Sequence, residues 1–106
     1  MDIEKQIFNI EKGKQIGYYK ISENSELDCG IQKNNNKYLV YIAFHDYEYD
    51  FMDSGREEFY SFSDLKKAIE YIVSRDIPIE EFFPQKGNKI FYKEWFNRKN
   101  VTVVDM

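Results

Sequence analysis

Carboxylate side chains are concentrated in one short segment of the chain, between Phe44 and Glu58. The segment reads FHDYEYDFMDSGREE and holds six carboxylates and one arginine, a net charge of −5. The whole chain of 106 residues has a formal net charge of −4, so the other residues sum to +1. Carboxylates at this density can bind cations, act as general acids and bases, or attract a basic protein. Residues 44–58 are called the acidic segment below.

Alternation within the acidic segment predicts a strand over 46–51 with charged and aromatic side chains on opposite faces. Like charges about 6–7 Å apart along one face repel one another, and a basic partner would relieve that repulsion. The alternative is a solvated edge strand whose charges prevent pairing with other sheets. The aromatic residues favour an interface, because aromatic and charged side chains together form binding hot spots. The two alternating sets are Asp46, Glu48 and Asp50, and Tyr47, Tyr49 and Phe51.

The interface interpretation predicts which side chains touch the partner. The carboxylates face outward and meet cations, while the aromatic residues add apolar area or pack beneath them. The predicted partner-binding residues are Asp46, Glu48, Asp50, Asp53, Glu57, Glu58, Tyr47 and Tyr49.

Metal binding and catalysis receive less support from the same residues. A calcium loop starting at Asp46 would need glycine where Phe51 stands, and a strand holds its carboxylates apart. His45 is the only histidine; its neighbour Asp46 points to the opposite face of a strand, so we expect a buried, hydrogen-bonded structural histidine. Cys29 alternates with apolar residues and is predicted to be a core residue. We therefore predict no metal, no cofactor, no catalytic residue and no enzymatic activity.

The cysteine count, the apolar runs and the net charge limit the cellular compartment and the kind of partner that we expect. A single cysteine excludes an intramolecular disulfide and a cysteine zinc site, which fits a reducing cytoplasm. Residues 1–14 lack the pattern of a secretory signal, and no apolar run approaches the ~20 residues of a membrane span. The negative net charge argues against direct nucleic-acid binding.

The clearest strands lie in the first half of the chain. Alternation over 27–32 predicts a half-buried strand, and KYLVYIAFH (37–45) is apolar on both faces, as in a central strand. The asparagine triplet at 34–36 joins them as a hairpin turn. Residues 5–21 allow either a short helix stopped by Gly13 and followed by a strand at 15–21, which we favour, or a hairpin around residues 12–13.

The second half contains the strongest helix prediction, over 63–75. Ser63 can cap it, or Ser61 with Asp64 closing a capping box. Pro78 can open a second short helix over 79–83 at its first position. The apolar stripe of the main helix consists of Leu65, Ala68, Ile69, Ile72 and Val73. The pattern further predicts strands at 57–62, 89–93 and 101–104, and a turn or a single helical turn at 95–99.

Strands, then a helix, then strands predict an α+β fold. The expected architecture is an antiparallel sheet of about five to six strands packed against one main helix at about 63–75, with short accessory helices. The length fits one globular domain spanning 1–106. The exposed edge of such a sheet is compatible with a monomer or a weak homodimer.

The chain resembles the small acidic immunity proteins of bacterial polymorphic and contact-dependent toxin systems. The likeness lies in its size, in the acidic and aromatic stretch HDYEYDFMD, and in the strand-then-helix passage EEFYSFSDLKKAIEYIV. It covers the character of the whole chain and includes no diagnostic motif, so no site residue carries over. The resemblance implies a cytoplasmic inhibitor that binds one toxin domain, often a basic nuclease, and covers its active site.

Two other functions share these sequence features. A phage- or plasmid-encoded regulator could use the acidic face to mimic nucleic-acid charge; a large toxin gene directly upstream would favour immunity instead. A small carboxylate-dependent enzyme is the third hypothesis. It would be favoured by a pocket that holds two carboxylates, one of them with a raised pKa.

Overall fold

The structure, a computed structural model, describes residues 3–46, 56–85 and 101–103. It confirms the α+β class. The strand predicted at 89–93 and the turn predicted at 95–99 lie outside these ranges, as does the acidic segment from 47 to 55. In chain order the elements are α1 (Ile3–Glu11), β1 (Ile16–Ile21), β2 (Ser25–Asn34), β3 (Lys37–Asp46), β4 (Arg56–Phe62), α2 (Leu65–Ser74), a 3₁₀ turn (Ile79–Glu81), β5 (Phe83–Pro84) and β6 (Val101–Val103).

The strands form one sheet in the order β5-β1-β2-β3-β4-β6. Four of its five neighbouring pairs are antiparallel, as predicted. The last pair differs, because β6 runs parallel to β4. Parallel neighbours need a crossover connection, and α2 lies in the stretch of chain that joins these two strands. Helix α2 is therefore part of the crossover that the parallel pair requires.

The N-terminal segment folds as a helix followed by a strand, which resolves the alternative left open by the sequence. Gln6 and Ile10 are buried, and Ile3 and Ile7 pack partly against the core, so the inward positions recur at helical spacing. Gly13 ends the turn after α1 with φ +88°, a conformation that costs glycine little.

The hairpin of β2 and β3 forms around the asparagines as predicted. Asn34 pairs with Lys37, which leaves a two-residue connection. Asn35 has φ 59°, in the left-handed region that asparagine tolerates better than most residues. This turn sets the register of the two longest strands, and that register places the site described below.

Helix α2 is confirmed, but its N-cap residue and one residue at the side of its apolar stripe differ from the prediction. Asp64, and not Ser63, is the N-cap residue; its Oδ1 accepts the Lys66 amide at 2.9 Å. Val73 is 50% exposed, because it lies about 90° around the helix from the centre of the buried stripe. The buried residues of the helix are Ala68, Ile69 and Ile72.

The second short helix is shorter than the predicted 79–83 and begins differently. Pro78 is its N-cap residue, and the 3₁₀ turn ends at Glu81. The chain then leaves to pair as β5 with the start of β1. Sheet pairing of Phe83 therefore replaces the last predicted helical residues.

The core lies between the sheet and the helices. Gln6, a buried polar residue of α1, donates its Nε2 to the carbonyls of Ile79 at 3.1 Å and Phe82 at 2.8 Å, which ties α1 to the 3₁₀ turn. Cys29 is fully buried in this core, as predicted. Among the described residues, the core side chains with 0% exposure are Ile10, Ile16, Cys29, Ile31, Val40, Ala68 and Ile72.

Strand β3 is buried on both sides, as its apolar sequence predicted. Val40 and Ile42 belong to the core cluster on the helix side. Leu39 and Tyr41 alternate with them and are each only 8% exposed on the opposite side. In the described ranges, neither helix is long and apolar enough to cross a membrane.

Candidate functional site

The sheet has a second face, opposite the helices, and strand register identifies the residues that share it. Tyr19 pairs with Asp28, and Asp28 in turn pairs with Ala43. Ala43 pairs with Glu57, which completes a row across four strands. The adjacent row contains Ile21, Glu26 and His45. Side chains of paired residues lie on the same face of a sheet, so these two rows bring tyrosine and carboxylate side chains together.

These rows border a cavity of about 160 Å³, called the acidic cavity here. Its lining residues lie toward the end of the sheet where β1 and β3 finish and β2 and β4 begin. The acidic segment leaves β3 and enters β4 at this same end. The lining residues are Tyr19, Glu26, Asp28, Tyr41, Ala43, Phe44, His45 and Glu57.

Asp28 is the most perturbed carboxylate of the acidic cavity. Its partial burial raises its pKa from 3.8 to about 6, against the opposing effect of a hydrogen bond from the Cys29 backbone. Burial acts in this direction because it disfavours the ionised carboxylate. At neutral pH Asp28 is therefore ionised in an environment that resists its charge, and a cation placed beside it would be stabilised.

The two tyrosine side chains of the acidic cavity are uncharged at neutral pH. Burial, followed by the charges of Asp28 and Glu57, raises the pKa of Tyr41. Partial burial and the charges of Glu26 and Asp28 raise the pKa of Tyr19. Neutral phenols offer O–H donors and electron-rich ring faces. The acidic cavity thus combines negative charge with aromatic surface.

Three of the predicted partner-binding residues are described, and they do not share one face. Asp46 ends β3, half-buried and opposite Ser25, whereas Glu57 is exposed on the second face and lines the acidic cavity. Glu58 follows on the helix side. The other predicted residues, Tyr47, Glu48, Tyr49, Asp50 and Asp53, lie outside the described residues.

Glu58 is engaged within the fold. Its two carboxylate oxygens accept hydrogen bonds from the two terminal nitrogens of Arg75, each at 2.8 Å. The Tyr60 hydroxyl also donates to Glu58, and Arg75 Nη1 reaches the Tyr71 hydroxyl at 2.8 Å. A bidentate pair of this kind fixes both side chains. Glu58 therefore joins β4 to the end of α2.

His45 differs from its predicted environment. It is half-buried and lines the acidic cavity, whereas the sequence predicted a buried histidine. It occupies a second-face position opposite Glu26, near the end of β3, where burial of the strand decreases. Asp46 alternates to the other face, as predicted.

Four polar residues of the acidic cavity were not considered as site residues from the sequence: Tyr19, Glu26, Asp28 and Tyr41. They come from three strands and only register brings them together. The available signal was alternation in β2, where Glu26 and Asp28 occupy the positions between the apolar ones.

Among residues 3–46 and 56–85, no three side chains of histidine, cysteine, aspartate or glutamate are grouped so as to hold a metal ion. Comparison of the chain with protein-family models, with curated proteins and with solved structures finds no match.

Proposed function

We propose that the protein is an inhibitor that binds a basic protein partner, and that it acts in the cytoplasm as an immunity protein against a bacterial toxin such as a basic nuclease. The observation that carries the proposal is the acidic cavity on the second face of the sheet. Its position at the strand ends makes it continuous along the chain with the acidic segment. The acidic cavity is the surface that we expect to meet a basic active site.

The charges of the acidic cavity support a cationic partner. Glu26 and Asp28 form no ion pair with lysine or arginine in the parts of the chain that the structure describes. Partial burial already disfavours the ionised form of Asp28. A partner cation would offset this cost on binding, and the same charges would accelerate encounter with a basic surface.

The size of the acidic cavity supports a protein partner over a small substrate. Its volume of about 160 Å³ is below the roughly 300–1,000 Å³ of typical small-molecule sites. It suits the end of one lysine or arginine side chain. Tyr19 and Tyr41 would then flank the cation, an arrangement that adds cation–π attraction to the ionic interaction.

Charge neutralisation with a matched control tests this proposal. The double variant Glu26→Gln, Glu57→Gln removes two charges from the acidic cavity, and the control Glu4→Gln, Glu70→Gln removes two exposed charges from the helices on the other side of the sheet. Binding to the product of the adjacent upstream gene is measured by calorimetry at low and high salt. We expect the cavity variant to bind about tenfold more weakly or worse, with reduced salt dependence. Equal affinities of the two folded variants would contradict the proposal.

One observation favours a second function, a small carboxylate-dependent enzyme. The acidic cavity holds three carboxylates, and the pKa of Asp28 is raised to about 6, which suits a general acid near neutral pH. Turnover of chromogenic phosphodiesters and glycosides would be measured from pH 5 to 8. Activity that breaks near pH 6 and is lost in Asp28→Asn would support the enzyme; absence of turnover with retained partner binding would support the inhibitor.

A further inference from the structure

In the part of the chain that the structure describes, the outer edge of strand β1 is paired over only part of its length. Within the described residues, β5 pairs only with Ile16 and Gly17. Residues 18–21 have β2 on one side. On the other side the described residues place no strand, although the Phe82 ring stacks on that of Tyr18 with centroids 6.2 Å apart. Open edges present unpaired backbone donors and acceptors, which can accept another strand.

The register identifies the backbone groups that this edge presents. The Ser22 amide donates to the Ser25 carbonyl at 2.8 Å, and hydrogen-bonded pairs alternate in an antiparallel ladder. Even-numbered residues of β1 therefore bond to β2, and odd-numbered ones face outward. The bond from the Gln85 amide to the Gln15 carbonyl, at 3.0 Å on the outer side, agrees with this assignment. Tyr19 and Ile21 thus direct their amides and carbonyls to the open edge.

The side chains at these positions do not protect the edge. Tyr19 is 46% exposed and Ile21 is 65% exposed. Natural edges are commonly blocked by proline or by charged residues. Lys20 is exposed but lies on the helix side, opposite Leu27. On the second face β1 offers neither proline nor a charged residue, and Tyr19 and Ile21 provide contact area for an added strand.

The neighbouring strand defines the charge of the partner. Asp28 lies opposite Tyr19 and Glu26 lies opposite Ile21, so carboxylates stand directly behind the open edge on the second face. A strand added beside β1 would have its own side chains in the same two rows. Lysine or arginine at those positions would complement the carboxylates.

We propose that the outer edge of β1, at residues 18–21, binds an extended basic segment of a protein partner as an additional strand. The inference rests on the proposed function and specifies how the partner binds. Tyr19 and Ile21 supply the main-chain hydrogen bonds, while Glu26 and Asp28 select for positive charge.

Strand spacing makes the ionic contact geometrically accessible. Neighbouring strands are about 4.8 Å apart, so an added strand lies about 10 Å from β2. A lysine or arginine side chain on the added strand and a glutamate side chain on β2 can extend toward each other and together span this separation. The cation would then cross the Tyr19 ring, where cation–π attraction strengthens the contact.

A second copy of the chain fits this edge less well. Self-pairing of β1 would bring Glu26 and Asp28 of both copies to the same side of the joined sheet. The second-face positions of β1 are Gly17, Tyr19 and Ile21, none of which carries a cation. A basic partner segment satisfies both the hydrogen bonds and the charges.

The test uses a synthetic eleven-residue peptide of alternating lysine and valine as the probe. Amide chemical shifts and hydrogen exchange of the full-length protein are followed by NMR during titration. We expect the largest changes, and new exchange protection, at Tyr19 and Ile21. A peptide with glutamate in place of lysine, and a lysine–valine peptide interrupted by two prolines, should each bind at least about tenfold more weakly. No binding of the probe, or changes confined to other residues, would overturn the inference.

Edge variants test the main-chain hydrogen bonds separately from charge. Ile21→Pro removes an outward amide without breaking the ladder to β2, a position at which proline is tolerated; Ile21→Thr is the matched control that keeps the amide. We expect the proline variant to bind the probe about tenfold more weakly than the threonine variant, because both lose the isoleucine side chain and only the proline variant loses the amide. Equal binding by both variants would overturn the inference. A dimer of the free protein that Ile21→Pro dissociates would also overturn it, since the occupant would then be a second copy.

The same variants distinguish failure of this inference from failure of the proposed function. If the upstream gene product binds Ile21→Pro normally but binds Glu26→Gln, Glu57→Gln weakly, the edge inference fails and the inhibitor proposal stands. If the wild-type protein does not bind that product while the probe binds at the edge, the inhibitor proposal loses its support and the edge site stands.

Discussion

The most specific energetic prediction concerns Asp28, whose substitution by asparagine should stabilise the protein at neutral pH. Partial burial raises the pKa of Asp28 from 3.8 to about 6. Each pKa unit corresponds to about 1.4 kcal/mol, so the full shift amounts to about 3 kcal/mol. Asp28 is only half-buried, and solvent screening reduces the expected effect to about 1–2 kcal/mol. Asparagine keeps an oxygen that can accept the Cys29 amide but carries no charge.

The sign of the pH dependence follows from the direction of this shift. Between pH 4 and 6 the folded protein holds the Asp28 proton more tightly than the unfolded chain does. The contribution of Asp28 therefore lowers the free energy of unfolding as pH rises through this window, and the loss is complete above about pH 7. In Asp28→Asn this decline in the free energy of unfolding should be absent. The variant should therefore exceed the wild type in free energy of unfolding by less and less as pH falls toward 4.

Urea denaturation from pH 4.5 to 8 measures this effect. The matched control is Glu70→Gln, which removes one charge at an exposed position of α2. We expect the control to change the free energy of unfolding by less than about 0.5 kcal/mol. A gain for Asp28→Asn that is absent at pH 7.5, or that is equal at all pH values, would refute the assignment of Asp28 as a partly desolvated carboxylate.

Three further substitutions test other parts of the fold by urea denaturation. Glu58→Gln should cost about 1 kcal/mol, less in high salt, because it breaks the half-exposed bidentate pair with Arg75; no salt effect would contradict this role. Asp64→Ala should cost about 1 kcal/mol through loss of the N-cap, and Asp64→Ser should recover most of it. Gly17→Ala should cost about 1–3 kcal/mol, because the added methyl meets the Cys29 carbonyl; unchanged stability would indicate that the strands can separate to admit it.

Local patterns predicted the elements that carry strong periodicity. The stripe of α2 and the two-sided apolar run of β3 are each encoded within a single segment, so the sequence sufficed for both. The cap of α2 was harder, since Ser61, Ser63 and Asp64 are all good capping residues. Which of them caps depends on where β4 ends, and that is decided by sheet pairing.

The acidic cavity could not be predicted to the same extent, because its residues are far apart in the chain. Tyr19, Asp28 and Tyr41 come together only through the pairing of β1, β2 and β3. A shift of one residue in register would move every one of these side chains to the opposite face. The parallel pairing of β6 with β4 is likewise a property of the crossover, which short-range patterns do not encode.

The most direct test of the inhibitor proposal is the affinity of the full-length protein for the product of the adjacent upstream gene, measured at low and high salt. We predict a stoichiometric complex with a basic protein, weakened by salt and weakened again in Glu26→Gln, Glu57→Gln. Absence of binding at both salt concentrations, or binding that neither salt nor the cavity variant changes, would contradict the proposed role of the acidic cavity.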